Sequence, residues 1–107
     1  KQLKFAKPKT VSTTRLHKKA AELFSLYIRK RGKCQLAGLD HVNCGGSLQC
    51  AHIITRGVHH LAFDEKNALC LCAGHHRYYT TKSHEWFWGI IPKYFPTQHA
   101  YLLPTMN

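Results

Sequence analysis

The run Leu48-Gln49-Cys50-Ala51-His52-Ile53-Ile54 (LQCAHII) sets one histidine among short apolar and thiol residues. Its length and bounding turn residues predict a strand over 48–54. Residues 55–67 are polar and turn-rich, with His59-His60 and Asp64-Glu65-Lys66-Asn67, and Ala68 to Leu71 reads as a second short strand. Residues 73–83 follow with a helical pattern, interrupted by Gly74 and Thr80-Thr81. Strand, turn, strand, helix is an α+β order. His52 then has three readings: a satisfied core histidine, a metal ligand or a general base.

Outward from this unit the chain is strongly basic. It has 107 residues and a net charge of +11, and eleven of its sixteen Lys and Arg precede Cys34. That length is one domain with a modest core, in which a structural metal is a common staple. The asymmetry of charge predicts a polyanionic partner, nucleic acid first, through phosphate neutralisation. No apolar run reaches the ~20 residues of a membrane span. Residues 1–33 have no apolar core of a signal peptide, so no membrane partner and a cytoplasmic location are expected. Beginning at Lys1, the chain can be a piece of a longer one.

Residues 1–12 read as a basic arm or linker, and 13–107 as a single domain. Ser12-Thr13-Thr14 can cap a helix in which Leu16, Ala20, Leu23, Phe24, Tyr27 and Ile28 share one face; this predicts an amphipathic helix of about 15–18 residues ending at Gly32. Near the C-terminus, Trp86, Phe87, Trp88, Ile90, Ile91, Tyr94 and Phe95 form a second apolar block. It is expected to pack on the first helix, closed by Pro92 and Pro96, with the Trp86-Phe87-Trp88 cluster serving as core.

Five cysteines is an odd number, which a disulfide framework would leave unbalanced. With nine histidines nearby, metal ligation in a reducing compartment is the better account. Cys72-Ala73-Gly74-His75 has C-x-x-H spacing, and Cys34 and Cys44 bracket a loop. Together they offer the four Cys or His donors of a closed, structural zinc site. The alternative is five buried cysteines without metal. Cys50 and Cys70 fall in the strands, as buried thiols.

The segments LQCAHIITRG, DEKNALCLC and AGHHRYYTT carry His52, Asn67 and His76 in order, with nine residues from Asn67 to His76. In this the chain resembles the HNH endonucleases, the ββα-metal or His-Me finger family, over about residues 34–83. The similarity is strongest to the small zinc-containing HNH proteins of phages and prophages, and weaker to the lambdoid recombination nucleases. The resemblance implies an antiparallel hairpin plus helix that hydrolyses DNA phosphodiesters, duplex or branched, with a catalytic Mg²⁺ or Mn²⁺. It implies His52 as general base, Asn67 as brace of the hairpin loop and His76 as catalytic metal ligand. His75 would close the zinc site, although the reverse assignment of the two histidines stays open. Arg56, Arg77 and Lys82 flank the centre, and one or two of them are expected to touch phosphates. Cutting both strands would need two active sites, hence a homodimer as one arrangement; a phage-encoded protein would act in the host cytoplasm.

Ala51 departs from that pattern. Many members carry Asp or His immediately before the base, and Ala51 can hold no ion. Either the ion is held sparsely, completed by water and phosphate, or His59, His60, Thr80 or His84 substitutes. The remaining reading is a non-catalytic, zinc-stabilised DNA-binding module.

Overall fold

Side-chain alternation along two five-residue strands organises the molecule. The computed structural model describes residues 2–55 and 59–106, and the side chains within 14–55 and 60–105. β1 (Leu48–His52) and β2 (Ala68–Cys72) pair antiparallel, with Leu48 opposite Cys72, Cys50 opposite Cys70 and His52 opposite Ala68. Residues directly opposite share a face, so the hairpin has one face of Leu48, Cys50, His52, Ala68 and Cys70, and another of Gln49, Ala51, Leu69 and Leu71. All five residues of β2 are buried, as expected of a strand covered on both sides.

Each face has its own cover. On the first, the fully buried Ile28 and the half-buried Phe24 of α1 (Gln2–Arg29) pack on Ala68 and Cys70. On the second, Ala51, Leu69 and Leu71 meet Tyr79 of α2 (Ala73–Thr80), Phe87 and Ile91 of α3 (His84–Tyr94), and Leu102 of α4 (Pro96–Leu102). Fully burying a Leu, Ile or Phe side chain contributes about 1.5–3 kcal/mol, so this second layer is the main core. A 3₁₀ turn, Leu103–Met106, follows α4. The fold is thus α+β, a two-stranded antiparallel hairpin with four helices, compatible with a ββα arrangement at β1, β2 and α2. Among the described residues, no helix is long and apolar enough to cross a membrane.

Several elements differ from the sequence expectation. α1 runs from Gln2 rather than starting at Ser12–Thr14, so the arm continues the helix; Ser and Thr inside a helix cost only a few tenths of a kcal/mol each. Of its expected apolar stripe only Ala20, Phe24 and Ile28 find partial or full cover, while Leu16, Leu23 and Tyr27 are exposed. The hairpin spans only the last turns of the helix, and periodicity cannot report where a partner ends. The aromatic block packs on α2 and α4, not on α1, because the hairpin lies between them. Phe87 is core, as expected, and Trp86 and Trp88 pack against it half-buried. Pro92 lies inside α3 rather than closing it. Pro96 holds Phe95 out of the helical region (φ −136°, ψ 62°) and opens α4 at a first-turn position, where its missing N–H costs nothing. α2 stops at Thr80, with Thr80 and Thr81 donating their hydroxyls to the carbonyls of His76 and Arg77, and Ser83, extended at φ −168° and ψ 161°, caps α3 by accepting the Trp86 amide.

β1 ends at His52, two residues earlier than expected, because Asn67 takes over the pairing. The Ile53 N–H donates to the Asn67 carbonyl at 2.9 Å. The wholly buried Asn67 amide accepts from the Ile54 N–H at 2.8 Å and donates to the carbonyls of Ile54 at 2.9 Å and Leu61 at 3.1 Å. The outer edge of β2 is covered by side chains. Gln35 donates its backbone N–H to the Cys70 carbonyl and accepts the Cys70 N–H on its side-chain oxygen, both at 2.8 Å. Arg31 donates to the carbonyls of Ala68 and Glu65, each at 3.0 Å.

Removing the Asn67 amide leaves three buried backbone groups unpaired, each costing about 1–3 kcal/mol. Asn67→Ala is therefore expected to lower unfolding free energy by at least about 2 kcal/mol, measured by urea denaturation.

Candidate metal centre and adjoining cleft

The first site forms where β2 passes into α2. Cys72 is the extended N-cap of α2, and its Sγ accepts the backbone N–H of His75 at 3.3 Å and of Gly45 at 3.4 Å. Those two bonds fix the sulfur, and the C-x-x-H spacing then carries His75 Nδ1 to 3.2 Å from it. The loop after α1 is laced to the same junction, with the Gly74 N–H donating to Gly45 and the Ala73 N–H to Ser47. Gly46 sits here at φ +79°, and a Cβ on it would lie 2.7 Å from that of Ala73, so no other residue fits without movement. The loop brings Cys34 Sγ to 3.5 Å and Cys44 Sγ to 3.6 Å from His75 Nδ1.

Cys34, Cys44, Cys72 and His75 thus place one donor atom each within 4.8 Å of one another. Tetrahedral zinc bonds to sulfur and nitrogen require S···N separations of about 3.5 Å, which these distances match. All five cysteines are free thiols, so no disulfide competes. Proton balance points the same way. Burial pushes the Cys72 thiol up, but the amides of His75 and Gly45 and the His75 ring outweigh it and bring Cys72 to about 6. Cys44 is pushed up to about 11 by desolvation and then by its bonds to Cys72 and Cys34. Such crowded thiols ionise together only beside a cation, so the donor set suits a structural metal such as zinc.

Sequence reasoning missed Asp40. Its Oδ1 lies 2.9 Å from His75 Nε2, and its other oxygen accepts the Tyr79 hydroxyl. Burial raises the Asp40 carboxyl, while the bonds from Tyr79 and His75 outweigh it and hold it below the usual carboxylate range. A carboxylate on the far nitrogen fixes the ring with its Nδ1 lone pair toward the sulfurs. The only signal in the sequence was a lone acid between two cysteines of a very basic chain.

The second site is a cleft of about 410 Å³. His52 and His76 both line it, with Phe24 of α1, Phe63, Thr80 and His84 among the other walls. His52 Nε2 lies 2.8 Å from the Ala62 carbonyl, which can only accept, so Nε2 carries the proton and the lone pair is on Nδ1. The loop bearing Ala62 is the one that Asn67 pins through Leu61. His76 Nδ1 is 2.7 Å from Gln49 Oε1, so this ring nitrogen donates and the lone pair is on Nε2. Gln49 was also missed, although a polar residue at an inward position beside Ala51 was a usable sign. Burial, and then the nearby His52, hold His76 below its usual 6.5, keeping it neutral.

Ala51 is fully buried on the main-core face opposite Leu69 and is not among the residues that line the cleft. Thr80 and His84 line the cleft, as two of the expected substitutes; His60 does not, and the His59 side chain and Arg56 lie outside the described residues. Among the described residues, only Cys34, Cys44, Cys72 and His75 bring three or more donors together. Arg77 is exposed on α2, and the Lys82 ammonium sits 4.4 Å over the Trp86 ring.

Searches against protein-family profiles, curated proteins and solved structures return no match to the chain.

Two outcomes are expected. Native mass spectrometry should find one zinc per chain, with Cys44→Ser releasing it and Asp40→Ala weakening zinc affinity about 10–100-fold in a chelator competition. Because the His76 pKa is lowered on folding, the unfolded chain protonates first as pH falls through 6.5. This ring therefore costs stability below that pH and nothing well above it. The loss of urea midpoint between pH 7.5 and 5.5 should be smaller in His76→Ala than in the unsubstituted protein.

Proposed function

We propose that the protein is a metal-dependent endonuclease of HNH type that hydrolyses DNA phosphodiester bonds. The observation that carries this reading is the meeting of His52 and His76 in one cleft, with a buried Asn67 pinning the loop that orients His52. The large positive charge ahead of Cys34 supports a DNA partner.

In this reading His52 is the general base. Its Nε2–H, held by the Ala62 carbonyl, fixes the tautomer, and Nδ1 takes the proton of the attacking water. A divalent ion such as Mg²⁺ or Mn²⁺, bound through His76, would supply positive charge for the non-bridging and leaving oxygens. With Ala51 buried, few protein donors serve that ion, which suits Mg²⁺ and its retained waters. Asn67 acts through the loop and does not touch substrate. The Cys34, Cys44, Cys72 and His75 set, holding zinc, is closed and structural. Arg77 and Lys82 lie exposed where they can meet phosphate, Lys82 from its place over the Trp86 ring. A reducing compartment, such as the cytoplasm or a phage host's cytoplasm, suits five free thiols; recombination, repair or DNA processing are the roles this chemistry serves.

One observation favours a second reading, a zinc-stabilised DNA-binding module without catalysis: no cluster of three donors forms in the cleft among the described residues. Plasmid cleavage decides between them. With Mg²⁺ or Mn²⁺ the protein should cut, and His52→Ala should slow cutting by about 10²–10⁴-fold while leaving DNA affinity and zinc content intact. Intact plasmid under every divalent ion would leave only the binding module.

A further inference from the structure

Phe63 is the one phenylalanine of the cleft wall that stands open to solvent among the described residues, at 42 % exposure. Two ring contacts link it to the proposed base, and a third ties it to His17 of α1. His17 lies 5.4 Å from Phe63, Phe63 lies 5.9 Å from Phe24, and Phe24 lies 5.6 Å from His52. An aromatic line therefore runs from the exposed side of α1 to the floor of the cleft. Beside it, a shallow groove along α1 is lined by Lys18, Ala21, Glu22, Ser25 and Arg29, and shares Ala21 and Ser25 with the cleft. Arg29 is held to Ser25 there, through the backbone carbonyl and the hydroxyl.

A basic groove merging into an aromatic-walled cleft is the surface that an unpaired strand requires. Cations follow its phosphates, and rings receive its bases whatever their identity. A paired base offers its faces only to its neighbours in the stack and cannot lie on Phe63. The apolar wall alone would leave other occupants open; Lys18 and Arg29 in the adjoining groove, on a chain of net charge +11, select a polyanion.

We infer that Phe63 is a stacking platform for an unpaired nucleobase of a single-stranded DNA segment that enters the cleft along α1. The inference deepens the nuclease reading by naming the form of the substrate at the site, and rests on that reading only for the word substrate. A nucleotide next to the phosphate facing His52 lies against the exposed face of Phe63, and the preceding phosphates track toward Lys18.

Binding without cleavage tests it. Single-stranded and duplex oligonucleotides carrying one 2-aminopurine are titrated with the zinc-loaded protein, without Mg²⁺ or Mn²⁺. The expected result is tighter binding of the single strand and quenching of the probe as it stacks. Phe63→Leu should weaken single-strand binding on the order of 10-fold and abolish the quenching. Phe63→Tyr and Phe63→Trp should retain both. Circular dichroism and zinc content show whether each variant is folded. Duplex bound as tightly as single strand, or a folded Phe63→Leu that binds and quenches like the unsubstituted protein, overturns the proposal. A protein that binds single strands through Phe63 yet cuts no DNA sinks the nuclease reading and leaves the platform standing.

Discussion

Four donor atoms from two separate parts of the chain have to meet within a few ångströms, and most of the architecture follows from that requirement. Cys72 and His75 come from the strand–helix junction, while Cys34 and Cys44 come from the loop after α1. The loop can reach the junction only if Gly46 adopts its left-handed conformation against Ala73, and if the amides of Gly45 and Gly74 find partners across the gap. Those bonds in turn fix where α1 leaves the hairpin and where α2 begins. A metal held there would fasten the loop to both. Without it, the same atoms bring thiols of opposed proton affinity into contact.

The hairpin distributes tasks by parity. Even positions of β1 meet α1, and odd positions meet the main core or α2. His52 is thus turned toward Phe24 on one side, while Gln49 reaches His76 from the other. Ala51 belongs to the core set, which explains its size: a polar side chain there would be buried against Leu69 without a partner.

Sequence carried what depends on local spacing. The two strands and the C-x-x-H turn were legible because each rests on periodicity or on a few residues of separation, and Cys34 and Cys44 joined the candidate donor set by residue type alone. Relations across some 35 residues were not legible. Asp40 reaches His75, Gln35 and Arg31 close β2, and Tyr101 donates to Asp64 at 2.5 Å through contacts that leave no trace in a linear pattern. The apolar stripe of α1 was legible as a pattern, but only its C-terminal part is covered. Amphipathicity states which residues seek cover, and only the tertiary arrangement states how far the cover extends.

The covered edge of β2 has a consequence for how chains behave together. A two-stranded sheet normally ends in unpaired amides and carbonyls that accept a strand from any neighbour. Here Gln35 mimics one residue of a third strand, matching both the N–H and the carbonyl of Cys70, and the Arg31 guanidinium takes the Ala68 carbonyl. In polymer terms the side chains act as a terminator: they satisfy the growing end with a unit that has no second end to offer. Sheet growth stops at two strands on that side, at the cost of one glutamine and one arginine.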